Sequence, residues 1–335
     1  MQVLAPVYGL TDAGDSARRL VAAGVDGVFT FEGPHDVFLP LALAAAASPG
    51  TALMTNVAIA FPRNAVHLAH SAWDLHELSG GRFTLGLGAQ IRTHVERRFG
   101  EGFDRPADRM RETVGAVRAV FRSWQFGEPL RFEGEFRRHT LMTPMFSPQP
   151  SPLGPPSIAV GGLGPRMCAV AAEAADALAV MPVTSERFFA DRTLPAVGEG
   201  LARRDASLGE LEVLPELIVC CGRDEAEQAA ADAGCRALLG FYSSTPAYRP
   251  VLDHEGFGDI QPVAQQMTRE GRWDELTGLV PDELLRLVCV RGTPAEVAAT
   301  IGRRYGDHAS RVCVYLPYDA SDELWGELVE ALHAA

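Results

Sequence analysis

Apolar residues along this chain fall into short runs that alternate with longer stretches apolar on one side only. Residues 2–8, 25–31, 51–60 and the run ending at Gly88 read as strands, because each is short, apolar and bounded by turn residues. Between them, residues 12–24, 38–47 and 65–78 read as helices, the last closed by Ser79-Gly80-Gly81. A β-α-β-α-β-α-β order with short connections demands parallel strands joined by right-handed crossovers. The pattern resumes with a helix over 105–124 that has Pro106 in its first turn. Residues 130–142 alternate around Glu133-Gly134 as an inserted hairpin, and a proline-rich connector covers 144–156. Strands at 157–161, 177–181, 211–221 and 311–316 then alternate with helices at 165–175, 185–204, 224–239 and 322–333. Residues 240–305 hold short helices and turns.

Eight strands at this spacing predict an α/β fold, a single (β/α)8 TIM barrel spanning 1–335. It carries a hairpin insertion after strand 4 and a helical insertion between strands 7 and 8, of which 240–286 is expected to act as a lid. Two dinucleotide-binding domains are the competing architecture. No Gly-x-Gly-x-x-Gly follows the first strand, and no mid-chain linker restarts the pattern.

The stretch Leu78 to Gln90 stands out. A helix breaks at two glycines, a buried strand follows, and it ends in Gly86, Gly88 and a polar tip. Glycines at a strand's carboxyl end either pack against a neighbouring chain segment or let a ligand lie flat on the backbone. The stretch alone leaves both open.

Charge and composition narrow the function. A formal charge of −13 with no offsetting basic stripe speaks against nucleic acid as a partner. The chain contains no lysine, which removes Schiff-base chemistry and leaves arginine and backbone amides to hold any anion. Cys168, Cys220, Cys221, Cys235, Cys289 and Cys313 show no Cys-x-x-Cys spacing, so reduced core residues are expected and a metal site is not. No apolar run reaches the roughly 18 residues a membrane span needs. The first residues lack a signal-peptide progression, so a cytoplasmic protein is expected.

Barrel chemistry sits at the carboxyl ends of the strands. Those ends hold Tyr8; Glu32, His35 and Asp36; Asn56; Gly88, Ala89, Gln90, Arg92 and His94; Gly161 to Arg166; Met181; Cys220; and Tyr318. The set is apolar and amide-rich. It offers no nucleophile–base couple and no carboxylate pair, and Glu32 is the one carboxylate placed as a base, which suits a flat cofactor that does its own chemistry. Gly161, Gly162, Leu163, Gly164, Pro165 and Arg166 lead into a helix whose free amides and positive end would receive a phosphate. The ordinary alternative is a glycine-rich turn.

These residues together resemble the bacterial-luciferase-like superfamily, and most closely its actinobacterial deazaflavin-dependent oxidoreductases. The likeness rests on Phe31 to Leu43, on Thr55-Asn56-Val57-Ala58-Ile59-Ala60-Phe61, and on Ala72 to Leu75 through Gln90. It extends over Glu96 to Gly100, over Arg105-Pro106 with Arg109 to Glu112, and over Gly161 to Met167. The resemblance implies a barrel, commonly a homodimer, with a flavin or deazaflavin across the strand ends. It implies a bulge with a non-prolyl cis peptide at Asn56-Val57, with Asn56, Val57 and Ala58 propping the central ring. Gly88, Ala89, Gln90 and His94 would touch the cofactor, Gly161 to Arg166 would hold its phosphate, and His35 would be the proton donor or substrate contact. Sugar-phosphate dehydrogenases of the superfamily carry a glutamate just after the fourth-strand glycines, where this chain has Gln90 and Ile91. That departure speaks against sugar-phosphate oxidation. The expected activity is hydride transfer between coenzyme F-420 and a small apolar organic substrate, with an FMN-dependent monooxygenase as the alternative.

Overall fold

The computed structural model describes residues 1–335, and eight parallel strands close into a barrel surrounded by helices. The strands are β1 (Gln2–Pro6), β2 (Gly27–Thr30), β3 (Ala52–Thr55), β4 (Phe83–Gly88), β5 (Ser157–Gly162), β6 (Ala177–Val180), β7 (Glu212–Cys221) and β8 (Arg311–Tyr315). They pair in chain order, and β8 returns to β1 through Leu4 opposite Cys313. β3 resumes after a two-residue break as Ala58–Ile59, which pairs with the end of β4.

Alternation sorts the side chains. Val3, Ala5, Val28, Leu53 and Val160 face the surrounding helices, while Leu4, Phe29, Met54, Ala159, Ala179, Leu214, Cys313 and Tyr315 fill the barrel. Carboxylates stitch the amino-terminal end. Asp26 accepts from the Val3 amide and Asp176 from the Ile158 amide, each at 2.8 Å. Arg311 clamps Glu212 through two bonds of 2.7 and 2.6 Å. Those acids hold strand ends together, as expected of the face opposite the chemistry.

Both insertions are present, with one difference. The hairpin Phe132–Glu133/Arg138–His139 is held by Glu112, which accepts from the amides of Glu135, Phe136 and Arg137. Arg137 in turn donates to the carbonyls of Ala60, Phe61 and Arg63, fastening the hairpin to the carboxyl end of β3. The excursion before β8 is not only helices and turns. Val290–Gly292 forms a short strand on the last three residues of β7. β7 is ten residues long, so its end outruns the barrel and needs a partner of its own. A separate buried cluster, including Ile218, Leu239, Leu252 and Leu285, seats the excursion against β7.

The fourth-strand glycines are committed to packing. A Cβ on Gly86 would lie 1.9 Å from the Thr55 carbonyl oxygen, and one on Gly88 would lie 2.2 Å from a Val57 methyl. Gly86→Ala therefore forces a backbone shift and should lower stability by about 1–3 kcal/mol or more. Gly198→Ala, on an exposed helical turn with open space around it, should leave the thermal midpoint equal or slightly raised. Equal midpoints for Gly86→Ala and the parent chain in a thermal melt would contradict this packing.

Candidate active site

The site is built around the break in β3. Thr55 turns its hydroxyl onto β4, donating to the Gly86 carbonyl at 2.8 Å and accepting from the Gly86 amide at 2.9 Å. The Asn56–Val57 peptide is cis, where the family likeness implies it. Val57 then projects over two glycines, since a Cβ on Gly161 would meet its other methyl at 3.3 Å. Of the two readings of the glycine stretch, the packing one is what the geometry shows: Gly86 and Gly88 make room for the bulge. Asn56 is 4% exposed, and neither atom of its amide has a partner within the protein. An amide buried without partners loses its hydration with nothing in return, so its place at a barrel mouth points to a ligand.

Opposite Asn56 lies a group absent from the sequence-based site. Glu216 sits in β7 two residues beyond inward-facing Leu214, paired in register with Cys313. It is 5% exposed. Burial pushes its carboxyl up to about 8, and the facing Asn56 and Tyr315 side chains only partly offset this. Neither closes a hydrogen bond of ordinary length on it, and no cation stands near enough to favour the ionised form. At neutral pH this carboxyl therefore holds its proton and can donate it. The expectation that Glu32 is the one carboxylate available is corrected. Glu32 accepts from the Ile59 amide at 2.8 Å and pairs with Arg63 at 2.6 Å, so it secures the β2–β3 ends.

Four tyrosines crowd the same space. Tyr315 comes from β8, Tyr8 follows β1, and Tyr242 and Tyr248 come from the end of the helix Glu225–Ser243 and the turn after it. Tyr315, Tyr242 and Tyr248 each feel the charge of Glu216, and Tyr8 is coupled to Tyr242 and Tyr315. Burial raises Tyr248 to about 12 and Tyr315 and Tyr242 well above their usual value, so all remain protonated donors. Tyr8, 51% exposed at the rim, is still raised to about 12 by the low-dielectric surroundings of its hydroxyl. The two tyrosines at and just after the end of β8 have different roles. Tyr315 faces the mouth, whereas the Tyr318 hydroxyl bridges the amide and carbonyl of Cys221.

The other residues marked from sequence are spread around this end. Ala58 is buried in the resumed strand, Ala89 and Gln90 are half-buried at the tip of β4, and Gln90 has a left-handed backbone with φ +56°. Its side chain accepts from the Ile91 amide. His35, in the loop after β2, and His94, in the helix Arg92–Arg97, are both exposed. Neither adds to the field at Glu216. Gly162 is packed against Cys168 and Leu178, while Gly164 has open space around it and begins the helix Pro165–Ala174 without a side-chain cap. Pro165 and Arg166 are exposed in that first turn, Leu163 is half-buried, and Arg166 takes part in no ion pair. All six cysteines are free and buried. No group of three or more potential ligands could hold a metal, and no helix is long and apolar enough to cross a membrane.

Comparison with known proteins agrees with the fold. A family model described as luciferase-like monooxygenase matches residues 2–310. An uncharacterised Mycobacterium tuberculosis protein is 42% identical over 303 residues, covering 90% of this chain and 89% of its own length. A second protein of that organism, provisionally named a coenzyme F-420-dependent oxidoreductase, is 30% identical over 280 residues, covering 78% of each. The coenzyme F-420-dependent tetrahydromethanopterin reductase from Methanopyrus kandleri superposes with a TM-score of 0.83 at 16% identity, over 99% of this chain and 98% of its own.

An unfolded glutamate ionises near pH 4.3, whereas the folded Glu216 keeps its proton to about 8. Between these values the folded chain holds the extra proton. The stability it confers is complete below the lower value and is lost as pH rises through the upper one. Thermal midpoints of the parent chain should fall between about pH 4.3 and about pH 8 and level off above that, and Glu216→Gln should flatten that fall. Parallel midpoint curves for the two proteins would show that Glu216 is ionised throughout.

Proposed function

The chain belongs to the luciferase-like monooxygenase family, and from that premise we propose that it is an oxidoreductase working with coenzyme F-420 on a small organic substrate. The mycobacterial and archaeal relatives named for this coenzyme support the choice. The observation that carries the reading is the buried, unpartnered Asn56 amide beside a protonated Glu216, at the strand ends where the bulge of β3 enters the mouth.

The residues present fit such a cofactor. The Asn56–Val57 ridge would support one face of a planar ring, with Ala58, Gly88, Ala89 and Gln90 beside it. The uncapped start of the helix Pro165–Ala174, with open Gly164 and unpaired Arg166, would take a phosphate. When bound, coenzyme F-420 gives or accepts the hydride. Glu216 holds the proton that the reacting substrate atom gains or loses, and the surrounding tyrosines exclude water and bring further hydroxyls. His35 is the second proton carrier at this end and would contact the substrate from the rim; His94 would lie against the cofactor's outer edge. FMN with molecular oxygen is the alternative, kept because the matching family is described as monooxygenases.

Titration with each cofactor, followed by absorbance, separates these readings. Coenzyme F-420 should bind more tightly than FMN, and Arg166→Ala should weaken it by about tenfold or more, the effect of losing a charge-assisted hydrogen bond. Glu216→Gln should leave cofactor affinity intact but lower kcat by about a hundredfold. Tighter FMN binding with oxygen-dependent turnover overturns the cofactor assignment. Loss of kcat in His35→Ala but not in Glu216→Gln moves the acid to His35.

A further inference from the structure

The segment after the helix Glu225–Ser243 does more than cover the mouth. Tyr242 and Tyr248 stand edge to face, ring centroids 5.2 Å apart, and both are half-buried. Their hydroxyls lie within electrical reach of Glu216, yet neither is held by a hydrogen bond to the protein. Tyr315 and Asn56 approach the same carboxyl from β8 and β3. The space thus carries a carboxylic acid, phenolic hydroxyls and an amide, all without ordinary protein partners. No guanidinium contributes to the field at Glu216, Tyr242, Tyr248 or Tyr315. A bound carboxylate or phosphate would find no counter-charge there and would lose its hydration, whereas a neutral oxygen acceptor would satisfy donors that are otherwise idle.

The segment carrying these tyrosines is also tied down. Glu255, at the end of the helix Arg249–His254, accepts from the Ser185 hydroxyl at 2.6 Å and pairs with Arg187 at 3.3 Å. That links it to the loop after β6, and Gln261 donates to the Ser244 carbonyl from the next helix. Tyr242 and Tyr248 are therefore presented by a braced element, which is what discrimination between substrates requires.

Resting on the reading of this mouth as an oxidoreductase site, we propose that Tyr242 and Tyr248 are specificity-determining residues. With Glu216 and Tyr315 they select an uncharged substrate carrying a hydrogen-bond-accepting oxygen, such as a ketone or aldehyde, and reject carboxylates and phosphates. The expected apolar substrate is thereby narrowed to one with a neutral polar handle. The groups facing Glu216 from the packed elements are Asn56, Cys313, Tyr315, Tyr242 and Tyr248. The tyrosines and the cysteine, all raised by burial, stay protonated while Glu216 titrates. A neutral acceptor should thus bind more weakly as pH rises through about 8.

Calorimetric titration of the full chain without cofactor tests this with cyclohexanone, cyclohexanecarboxylate and cyclohexylammonium. Cyclohexanone should bind, more weakly at about pH 9 than at about pH 6.5, and the carboxylate should not. Tyr242→Phe and Tyr248→Phe keep the rings and should each weaken the ketone by about 3- to 10-fold, the range for one neutral hydrogen bond. Coenzyme F-420 affinity, read separately by absorbance, should be unchanged in both variants. Absent ketone binding, pH-independent ketone binding, equal binding of the carboxylate, or tighter binding of the ammonium overturns the proposal. Ketone binding that follows these rules in a chain with no affinity for coenzyme F-420 would leave it standing and sink only the cofactor assignment.

Discussion

A carboxyl group kept out of water without a cation beside it is the constraint on which this mouth depends. Charged side chains are seldom fully buried alone, because the lost hydration has to be replaced. The chain meets the constraint by leaving Glu216 neutral rather than by pairing it, which is why burial raises its pKa so far. A neutral acid inside a barrel is a donor in a dry site, where a hydrogen bond acts more strongly than it would at the surface. The chain's other acids are used differently. Asp26, Asp176, Glu212 and Glu32 each hold an amide or a guanidinium and contribute to closing the barrel.

The break in β3 sets the opposite wall. Admitting Thr55 and Val57 needs strands with no Cβ at Gly86 and Gly88, and room beside Gly161. Three strands are therefore matched at one spot, and the match leaves the Asn56 amide inside the mouth rather than in a ladder. Tyr242 and Tyr248 close the remaining side from a part of the chain far away in sequence. The polar groups of the mouth thus come from separate segments, held by packing that is largely apolar.

Much of the fold is legible in the sequence because period and punctuation decide it. The β/α alternation and both insertions follow from short apolar runs set between one-sided helices. Around the mouth, the break at Asn56-Val57 is legible because a local motif carries it. In the sequence Gly86 and Gly88 are ambiguous, because a glycine announces a close approach but not what approaches; in the structure it is the break in β3. Glu216 is hidden in the sequence for a different reason. Its strand is mostly apolar but carries two acids, Glu212 and Glu216, and nothing local reveals that Asn56, Tyr315 and two tyrosines from beyond residue 240 converge on the second. The one signal in the sequence is an acid in the same parity as Leu214 and well inside the strand, unlike Glu212 at its start, which puts Glu216 inside the barrel. The short strand Val290–Gly292 leaves no signal in the sequence, because three residues are too few for a period to show.

The mouth depends on the proton that Glu216 carries in the folded protein at neutral pH. Infrared difference spectroscopy of the parent chain against Glu216→Gln, across a pH titration, reads this from the carbonyl stretch of a protonated carboxyl. That band should be present at neutral pH, disappear as pH rises through about 8, and be missing from the variant. A spectrum in which the parent chain lacks the band at neutral pH, and shows the carboxylate stretches in its place, would contradict the account.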